Sequence, residues 1–203
     1  MELIPRLTAE FHLRQEHVEN IVKLIDDGNT IPFIARYRKE MTGALDDQVL
    51  RALADRLAYL RGLDKRKEEV CAAIEEQGKL TPELEEAIAA AEILAEVEDL
   101  YRPYRQKRRT RASIAKERGL EPLAEMILEQ RPDSPAPPAL AERYVNGEKQ
   151  VNSAEEAVAG ALDIIAEQVS NDAALRGKLR AFLMKNAVLR SVGKTEEDSV
   201  YSM

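Results

Sequence analysis

The stretch Asp47–Gln77, DQVLRALADRLAYLRGLDKRKEEVCAAIEEQ, decides the fold of this chain. Its leucines first recur in alternating steps of three and four residues, and further aliphatic residues continue the same face of an α-helix. These positions are Leu50, Leu53, Leu57, Leu60, Leu63, Val70 and Ile74. We predict one helix, capped by Asp46 and ended near Gly78, that spans roughly 45 Å at a rise of about 1.5 Å per residue.

The composition around this helix also favours helices. Ala, Leu, Glu, Lys and Arg dominate the 203 residues, aromatic residues make up only 4%, and Val and Ile seldom alternate with polar residues. The sequence therefore predicts an all-α fold, a multi-helix array with one long central helix. Three short helices at the N-terminus are expected to form a helix-turn-helix-like start, and Val188–Val192 is expected to begin a short strand.

Composition also predicts how the chain is divided. Four prolines in Arg131–Pro138 indicate a surface linker. We expect a helical region over 1–131, a linker over 132–138, a second helical block packed on the first over 139–192, and a frayed tail over 193–203.

Two helices are predicted in the second block, each with an apolar inner face at helical spacing. The first helix, Ala154–Val169, is expected to bury Val158, Leu162, Ile165 and Val169. The last helix, which runs to about Asn186, is expected to bury Leu175, Leu179, Phe182 and Leu183.

The stretch Tyr101–Arg111, YRPYRQKRRTR, concentrates positive charge in an acidic chain. It contributes +6 while the whole chain carries −7, so the remainder carries −13. Such a cluster is typical of phosphate contact. The candidate nucleic-acid-binding residues are Tyr101, Arg102, Tyr104, Arg105, Lys107, Arg108, Arg109 and Arg111.

In this hypothesis the tyrosines stack on unpaired bases. The alternative is that the tyrosines pack as anchors and the arginines pair with acids such as Glu96, Glu98 or Asp99, since guanidinium binds carboxylate and phosphate alike. The sequence leaves both open.

A second candidate patch consists of Arg36, Arg38 and Lys39 on the third short helix, whose Phe33 and Tyr37 are expected to face inward. A helix that reads base edges would carry Asn, Gln or Ser among its arginines, and this one does not. We therefore expect Arg36 or Arg38 to pair with acids of the long helix.

The sequence offers no chemistry for catalysis or cofactor binding. His12 and His17 are the only histidines and lie five residues apart, off the helical step of four that metal pairs favour. The single cysteine, Cys71, lies in a helical pattern as a small hydrophobe. No catalytic residue, metal ligand or cofactor is predicted, and without an apolar run of membrane-spanning length we expect a cytoplasmic protein with no membrane partner.

Four long ungapped segments resemble the Tex family of bacterial transcription accessory proteins. They are TIPFIARYRKEMTG at Thr30–Gly43, EEQGKLTPELEEAI at Glu75–Ile88, EDLYRPYRQKRRTRASIAKERGLEPLA at Glu98–Ala124 and SAEEAVAGALDIIAEQVSNDAALRGKLR at Ser153–Arg180. The resemblance implies an N-terminal helical region that precedes a ribonuclease-H-like domain, a helix-hairpin-helix region and an S1 domain. We therefore expect this chain to be the N-terminal part of a longer protein.

The resemblance implies a role in transcription, with nucleic acid, RNA or DNA, bound largely by the S1 domain that this chain lacks. It transfers no catalytic or binding residue to these positions. We expect the region to contribute to nucleic-acid binding, to organise the domains of the longer protein and to meet the transcription machinery as a partner. The alternative is a scaffold for protein interactions with no nucleic-acid contact of its own.

Overall fold

The computed structural model describes residues 3–105 and 109–190, which form twelve α-helices and no β-strand. The prediction of an all-α fold is confirmed. The helices are α1 (Leu3–Phe11), α2 (Gln15–Asp26), α3 (Ile31–Tyr37), α4 (Lys39–Thr42), α5 (Asp47–Glu75), α6 (Pro82–Ala90), α7 (Leu94–Tyr101), α8 (Arg111–Glu117), α9 (Glu121–Glu129), α10 (Pro137–Ala141), α11 (Ala154–Asn171) and α12 (Ala173–Asn186). Short 3₁₀ turns occupy Arg102–Tyr104, Glu142–Tyr144 and Gly147–Lys149.

Helix α5 is the long helix that the leucine spacing predicts. The Asp46 carboxylate accepts a hydrogen bond from the Val49 amide at 2.8 Å and so caps the first turn. All seven aliphatic positions of the predicted face are buried. The spacing therefore identified both the helix and the side that packs.

The chain divides into two compact units, Met1–Tyr101 and Arg102–Met203. The division falls inside the basic stretch rather than at the proline-rich segment. In the second unit, a single core contains Leu123 and Leu140, which lie on opposite sides of residues 132–138. The proline-rich segment is thus a connection within one packed unit, and α10 begins inside it.

In the N-terminal unit, α1, α2 and α3 bury their apolar faces against α5. The side chains that meet there are Leu7, Val18, Ile21, Leu24, Ile34, Leu50, Leu53, Leu57 and Leu60. A helix-turn-helix-like role for these short helices stays a prediction.

Two arginines of α5 hold the neighbouring helices by paired hydrogen bonds. Arg56 donates to Glu10 of α1 at 2.6 and 2.7 Å, and Arg61 donates to Asp26 of α2 at 2.6 and 2.9 Å. Arg6 donates a third hydrogen bond to Glu10 at 2.9 Å. The bond from Arg56, followed by that from Arg6, lowers the pKa of Glu10 from its ordinary 4.5 to about 2, despite an opposing effect of desolvation.

In the C-terminal unit, α11 packs by its smallest residues. Ala157, Ala161 and Ile164 are buried, and a Cβ added at Gly160 would collide with Leu120 and lie 3.3 Å from the Cβ of Ala115. The predicted inner face is wrong for Leu162, which is 51% exposed. The physical reason is that a helix lined by Ala and Gly allows α8 and the residues after it to approach more closely than a bulky face would.

Other predictions for the inner face of α11 have mixed outcomes. Val158 and Ile165 pack at the edge of the core, whereas Val169 is 45% exposed.

The C-terminal part of the described chain also differs from prediction. No residue of α12 is buried, so its predicted inner side is wrong, and Leu179 and Phe182 are more than half exposed. Residues 187–190 adopt no regular structure, so the predicted strand does not begin at Val188. Residues 191–203, which contain the rest of that strand and the predicted tail, lie outside the described residues.

We predict that Gly160→Ala destabilises the protein by about 1–3 kcal/mol, because the added methyl group overpacks a closely spaced interface. The control is Gly177→Ala on α12, where an added Cβ meets nothing within 4 Å and helix propensity should stabilise by up to ~1 kcal/mol. Thermal unfolding followed by circular dichroism measures both. Equal effects of the two substitutions would contradict close packing at Gly160.

We also predict that Glu10→Gln lowers the melting temperature at pH 7 by about 1–4 °C, as expected for a partly exposed ion pair. Because the folded-state pKa of Glu10 is depressed, its contribution is complete above pH 4.5 and is lost as the pH falls towards 2. The difference in melting temperature between wild type and variant should therefore shrink over that range. A difference that stays constant from pH 7 to pH 2 would refute the assignment.

Candidate nucleic-acid interface

The basic stretch begins with a tyrosine that is fixed by an arginine of α5. Tyr101 ends α7 and is half-buried, with the guanidinium carbon of Arg66 5.4 Å from its ring centroid. Arg66 also donates hydrogen bonds to Glu98 at 2.7 Å and Glu69 at 3.0 Å, and these bonds raise its pKa. One face of Tyr101 is thus already occupied by a cation–π contact.

The next residues follow a single 3₁₀ turn. Arg102 is half-buried and donates to the Ser170 hydroxyl at 3.4 Å, and its Nε is buried with no hydrogen-bond partner among the described atoms. Tyr104 is half-buried and Arg105 is exposed, and each takes part in an interaction within the protein. Lys107 and Arg108 lie outside the described residues.

The last two arginines of the stretch have carboxylate partners. Arg109 donates to Glu117 at 2.8 Å, and Arg111, whose side chain is 86% exposed, lies 3.4 Å from Asp163. Between them Thr110 caps α8 and donates to Glu167 at 3.2 Å. This part of the stretch therefore agrees with the internal-pairing alternative, although exposed ion pairs of this kind contribute only about 0.2–1 kcal/mol.

The acids proposed as partners from sequence have other contacts as well. Glu96 accepts hydrogen bonds from the Glu92 and Ile93 amides at the start of α7, and Glu98 binds Arg66. Asp99 is buried. The carboxylates that pair with Arg109 and Arg111 are Glu117 of α8 and Asp163 of α11. Neither was among the acids that we proposed from the sequence, which all lie just before the basic stretch.

The second patch lies where α3 meets α4. Arg36, Tyr37, Arg38 and Lys39 are exposed and line an open groove together with Glu40 and Met41. Tyr37 is 60% exposed, which makes the prediction that it faces inward wrong. We call Arg36, Tyr37, Arg38 and Lys39 the α3–α4 patch.

Ring contacts organise the patch. The Phe33 and Tyr37 ring centroids are 5.2 Å apart, and the guanidinium carbon of Arg38 lies 5.2 Å from the Phe33 ring centroid. Arg36 lies 6.0 Å from the Tyr37 ring centroid. Cations and an exposed aromatic ring are thus held next to each other.

The expected pairing of Arg36 or Arg38 with acids of α5 is wrong. Within residues 3–105 and 109–190, Arg36, Arg38 and Lys39 have no carboxylate at ion-pair distance. Glu40 is four residues from Arg36 and would face it on a continuous helix. The helix breaks at Arg38, whose φ of −127° and ψ of 28° are not helical, so that pair does not form.

A glycine fixes the far end of the patch. Gly43 ends α4 in the left-handed region, with φ of +69°, and a Cβ there would lie 2.5 Å from the imidazole of His17. Asn20 of α2 donates to the Met41 carbonyl at 3.1 Å. Contact with α2 on one side therefore leaves the cationic side of α4 to solvent.

The described residues contain no group of three or more His, Cys, Asp or Glu side chains that could hold a metal ion. Among the helices described, none is both long and apolar enough to cross a membrane.

Comparison with known proteins assigns this region to a family. The Tex-like protein N-terminal domain matches residues 1–75, and the Tex central region-like family matches residues 132–201. The chain belongs to the Tex family, which confirms the resemblance seen in the sequence.

Three relatives illustrate the similarity. Protein tex of Bordetella pertussis is 50% identical over 93% of this chain and 24% of its own length, and transcriptional accessory protein Tex of Neisseria gonorrhoeae is 44% identical over 100% and 27%. The human S1 RNA-binding domain-containing protein 1 is 37% identical over 55% of this chain and 11% of its own length. The chain spans about a quarter of the length of the two bacterial relatives.

We predict that removing the internal partners of the basic stretch increases its attraction to polyanions. Glu117→Gln with Asp163→Asn releases Arg109 and Arg111, so the protein should elute from immobilised heparin at higher salt. The control is Glu85→Gln with Glu86→Gln on α6, which makes the same change in net charge. If both pairs shift elution equally, the release of these two arginines has no specific effect.

Proposed function

We propose that this chain contributes direct nucleic-acid contacts to a transcription accessory protein, chiefly through the α3–α4 patch. The observation that carries the proposal is the lack of ion-pair partners for its three cations among the described residues, beside an exposed tyrosine. When a phosphate binds these cations it displaces only water, because no carboxylate of the described residues is paired with them.

The composition of the patch favours unpaired strands of nucleic acid. Arg36, Arg38 and Lys39 supply phosphate contacts, and the exposed ring of Tyr37 supplies a face on which a base can stack. The patch offers no Asn or Gln for reading base edges. Binding should therefore depend on salt more than on base sequence.

The basic stretch would act as a second contact. Arg109 and Arg111 are paired but exposed, and surface ion pairs of this kind contribute only about 0.2–1 kcal/mol. A phosphate group can therefore replace Glu117 or Asp163 as the partner of these arginines at little cost in free energy. The remaining members of the proposed site are Tyr101, Arg102, Tyr104, Arg105, Lys107 and Arg108.

The names of relatives agree with this proposal. One bacterial relative is a transcriptional accessory protein, and the human relative is named for an S1 RNA-binding domain. We extend from them a role in transcription and RNA as a ligand. DNA as a second ligand, a cytoplasmic location, the transcription machinery as partner and no catalysis by this region are further parts of our proposal. The competing proposal is a scaffold that organises the domains of the longer protein without touching nucleic acid.

Charge reversal of the α3–α4 patch tests the proposal. Arg36→Glu, Arg38→Glu and Lys39→Glu together should weaken binding of a fluorescent single-stranded RNA at least about tenfold in anisotropy titrations at moderate salt. The slope of log affinity against log salt should fall by about 2, since each lost phosphate contact removes roughly 0.7. Single-stranded DNA, measured in parallel, shows which nucleic acid is preferred.

The matched control reverses three exposed cations elsewhere in the N-terminal unit. Lys23→Glu, Lys65→Glu and Lys79→Glu make the same charge change and should leave the affinity within about twofold of wild type. If both triple variants lose RNA affinity equally, the loss results from the change in net charge and not from the α3–α4 patch. If the unmodified chain does not bind either strand at low salt, the scaffold proposal replaces this one.

A further inference from the structure

The open groove at the α3–α4 patch contains a carboxylate that phosphate binding does not explain. Glu40 lines this groove together with Met41 and the four residues of the patch. The side chain of Glu40 is exposed, and its carboxylate has no hydrogen-bond or ion-pair partner in the described part of the chain. A carboxylate repels phosphate but accepts hydrogen bonds from N–H groups, which nucleic acids carry only on their bases. Glu40 is therefore suited to contact a base rather than the backbone of a bound strand.

The backbone on both sides of the helix break at Arg38 is held by contacts within the protein. Arg38 donates a hydrogen bond to the Tyr37 carbonyl at 3.3 Å. On the α4 side, the hydroxyl of the buried Thr42 donates to the Lys39 carbonyl at 3.4 Å. The segments that carry Tyr37 and Glu40 are thus ordered before a ligand arrives, which lowers the entropy cost of binding.

We propose that Glu40 makes this groove select guanine in single-stranded RNA, an inference that rests on the proposed function. The base would stack on the exposed ring of Tyr37, and the Glu40 carboxylate would accept hydrogen bonds from N1–H and the N2 amino group of its Watson–Crick edge. The two carboxylate oxygens match these two neighbouring donors, and the charge strengthens both hydrogen bonds. The phosphates on either side of the guanosine would meet Arg36, Arg38 and Lys39.

The other bases present a less suitable edge to a carboxylate. Adenine and cytosine offer one amino group beside a ring nitrogen that is an acceptor, and the lone pair of that nitrogen repels a carboxylate oxygen. Uracil offers one N–H between two carbonyl oxygens, which repel the carboxylate in the same way. We therefore expect a preference for guanine in addition to the salt-dependent affinity that the three cations supply.

Arginine provides the main alternative explanation for a guanine preference. A guanidinium group of Arg36 or Arg38 could donate to O6 and N7 of guanine instead. The two explanations require different atoms of the base, so base analogues separate them. Inosine lacks the N2 amino group but keeps O6 and N7, whereas 7-deazaguanosine lacks N7 but keeps both donors of the Watson–Crick edge.

The test compares short fluorescent oligouridines that differ only in one central nucleotide. Each strand is titrated with the full chain of 203 residues, and binding is followed by anisotropy. The strand with guanosine should bind at least about fivefold more tightly than the strands with adenosine, cytidine or uridine. The strand with 7-deazaguanosine should keep this preference, and the strand with inosine should lose most of it.

Glu40→Gln tests the carboxylate itself. Glutamine keeps the size of the side chain but replaces one acceptor with a donor, which would face a donor of guanine. Affinity for the guanosine strand should fall at least about threefold. Affinity for oligouridine should stay the same or rise, because a charge that repels phosphate has been removed.

The matched control is Glu86→Gln on α6, which removes the charge of an exposed glutamate outside the groove. This variant should keep the guanine preference of the wild type. Circular dichroism should show unchanged helix content in both variants, because both side chains are exposed.

The outcomes separate this inference from the proposed function. Equal binding of all four bases, with RNA affinity still lost on charge reversal of Arg36, Arg38 and Lys39, would refute the guanine preference alone. Equal binding of inosine and guanosine, with weak binding of 7-deazaguanosine, would assign the preference to arginine. An equal gain for every strand in Glu40→Gln would show that Glu40 only repels phosphate. If the chain binds no strand at low salt, the inference and the proposed function both fail.

Discussion

The burial of one aliphatic face of α5 is the constraint on which the N-terminal unit depends. Seven side chains from Leu50 to Ile74 are removed from water, at about 1.5–3 kcal/mol for each large side chain as an upper estimate. Short helices such as α1 and α3 are not stable alone, so packing on this face is what makes them helical. Their positions then determine which side chains of the α3–α4 patch reach solvent.

The two cationic surfaces show how similar residues acquire different properties from their surroundings. Arg109 and Arg111 follow a helix-capping turn that brings Glu117 and Asp163 within reach, so part of their charge is balanced within the protein. In the α3–α4 patch, the break at Arg38 separates Arg36 from its nearest acid in sequence, Glu40. The density of basic residues along the chain therefore does not show how many of them lack a carboxylate partner. The basic stretch contains more arginines than the α3–α4 patch, but it also has more carboxylate partners.

Much of the fold could be predicted from the sequence, because α5 follows strict spacing and begins at a capping residue. The buried face of α11 could not be predicted in this way. The sequence suggested that the large side chain of Leu162 is buried, whereas the closely packed side of the helix carries Ala157 and Ala161. Gly160 was the available signal, because a glycine inside a helix often marks a close approach. Of the candidate site, the residue types were predictable, but their pairing was not, since Asp163 is distant in sequence from Arg111.

Helix α12 differs from the other long helices, because none of its residues is buried. Its apolar periodicity matches that of a packed helix, yet the described chain provides no cover for Phe182 and Leu183. Helical periodicity therefore identifies an apolar face, but it does not determine whether the described part of the chain buries that face.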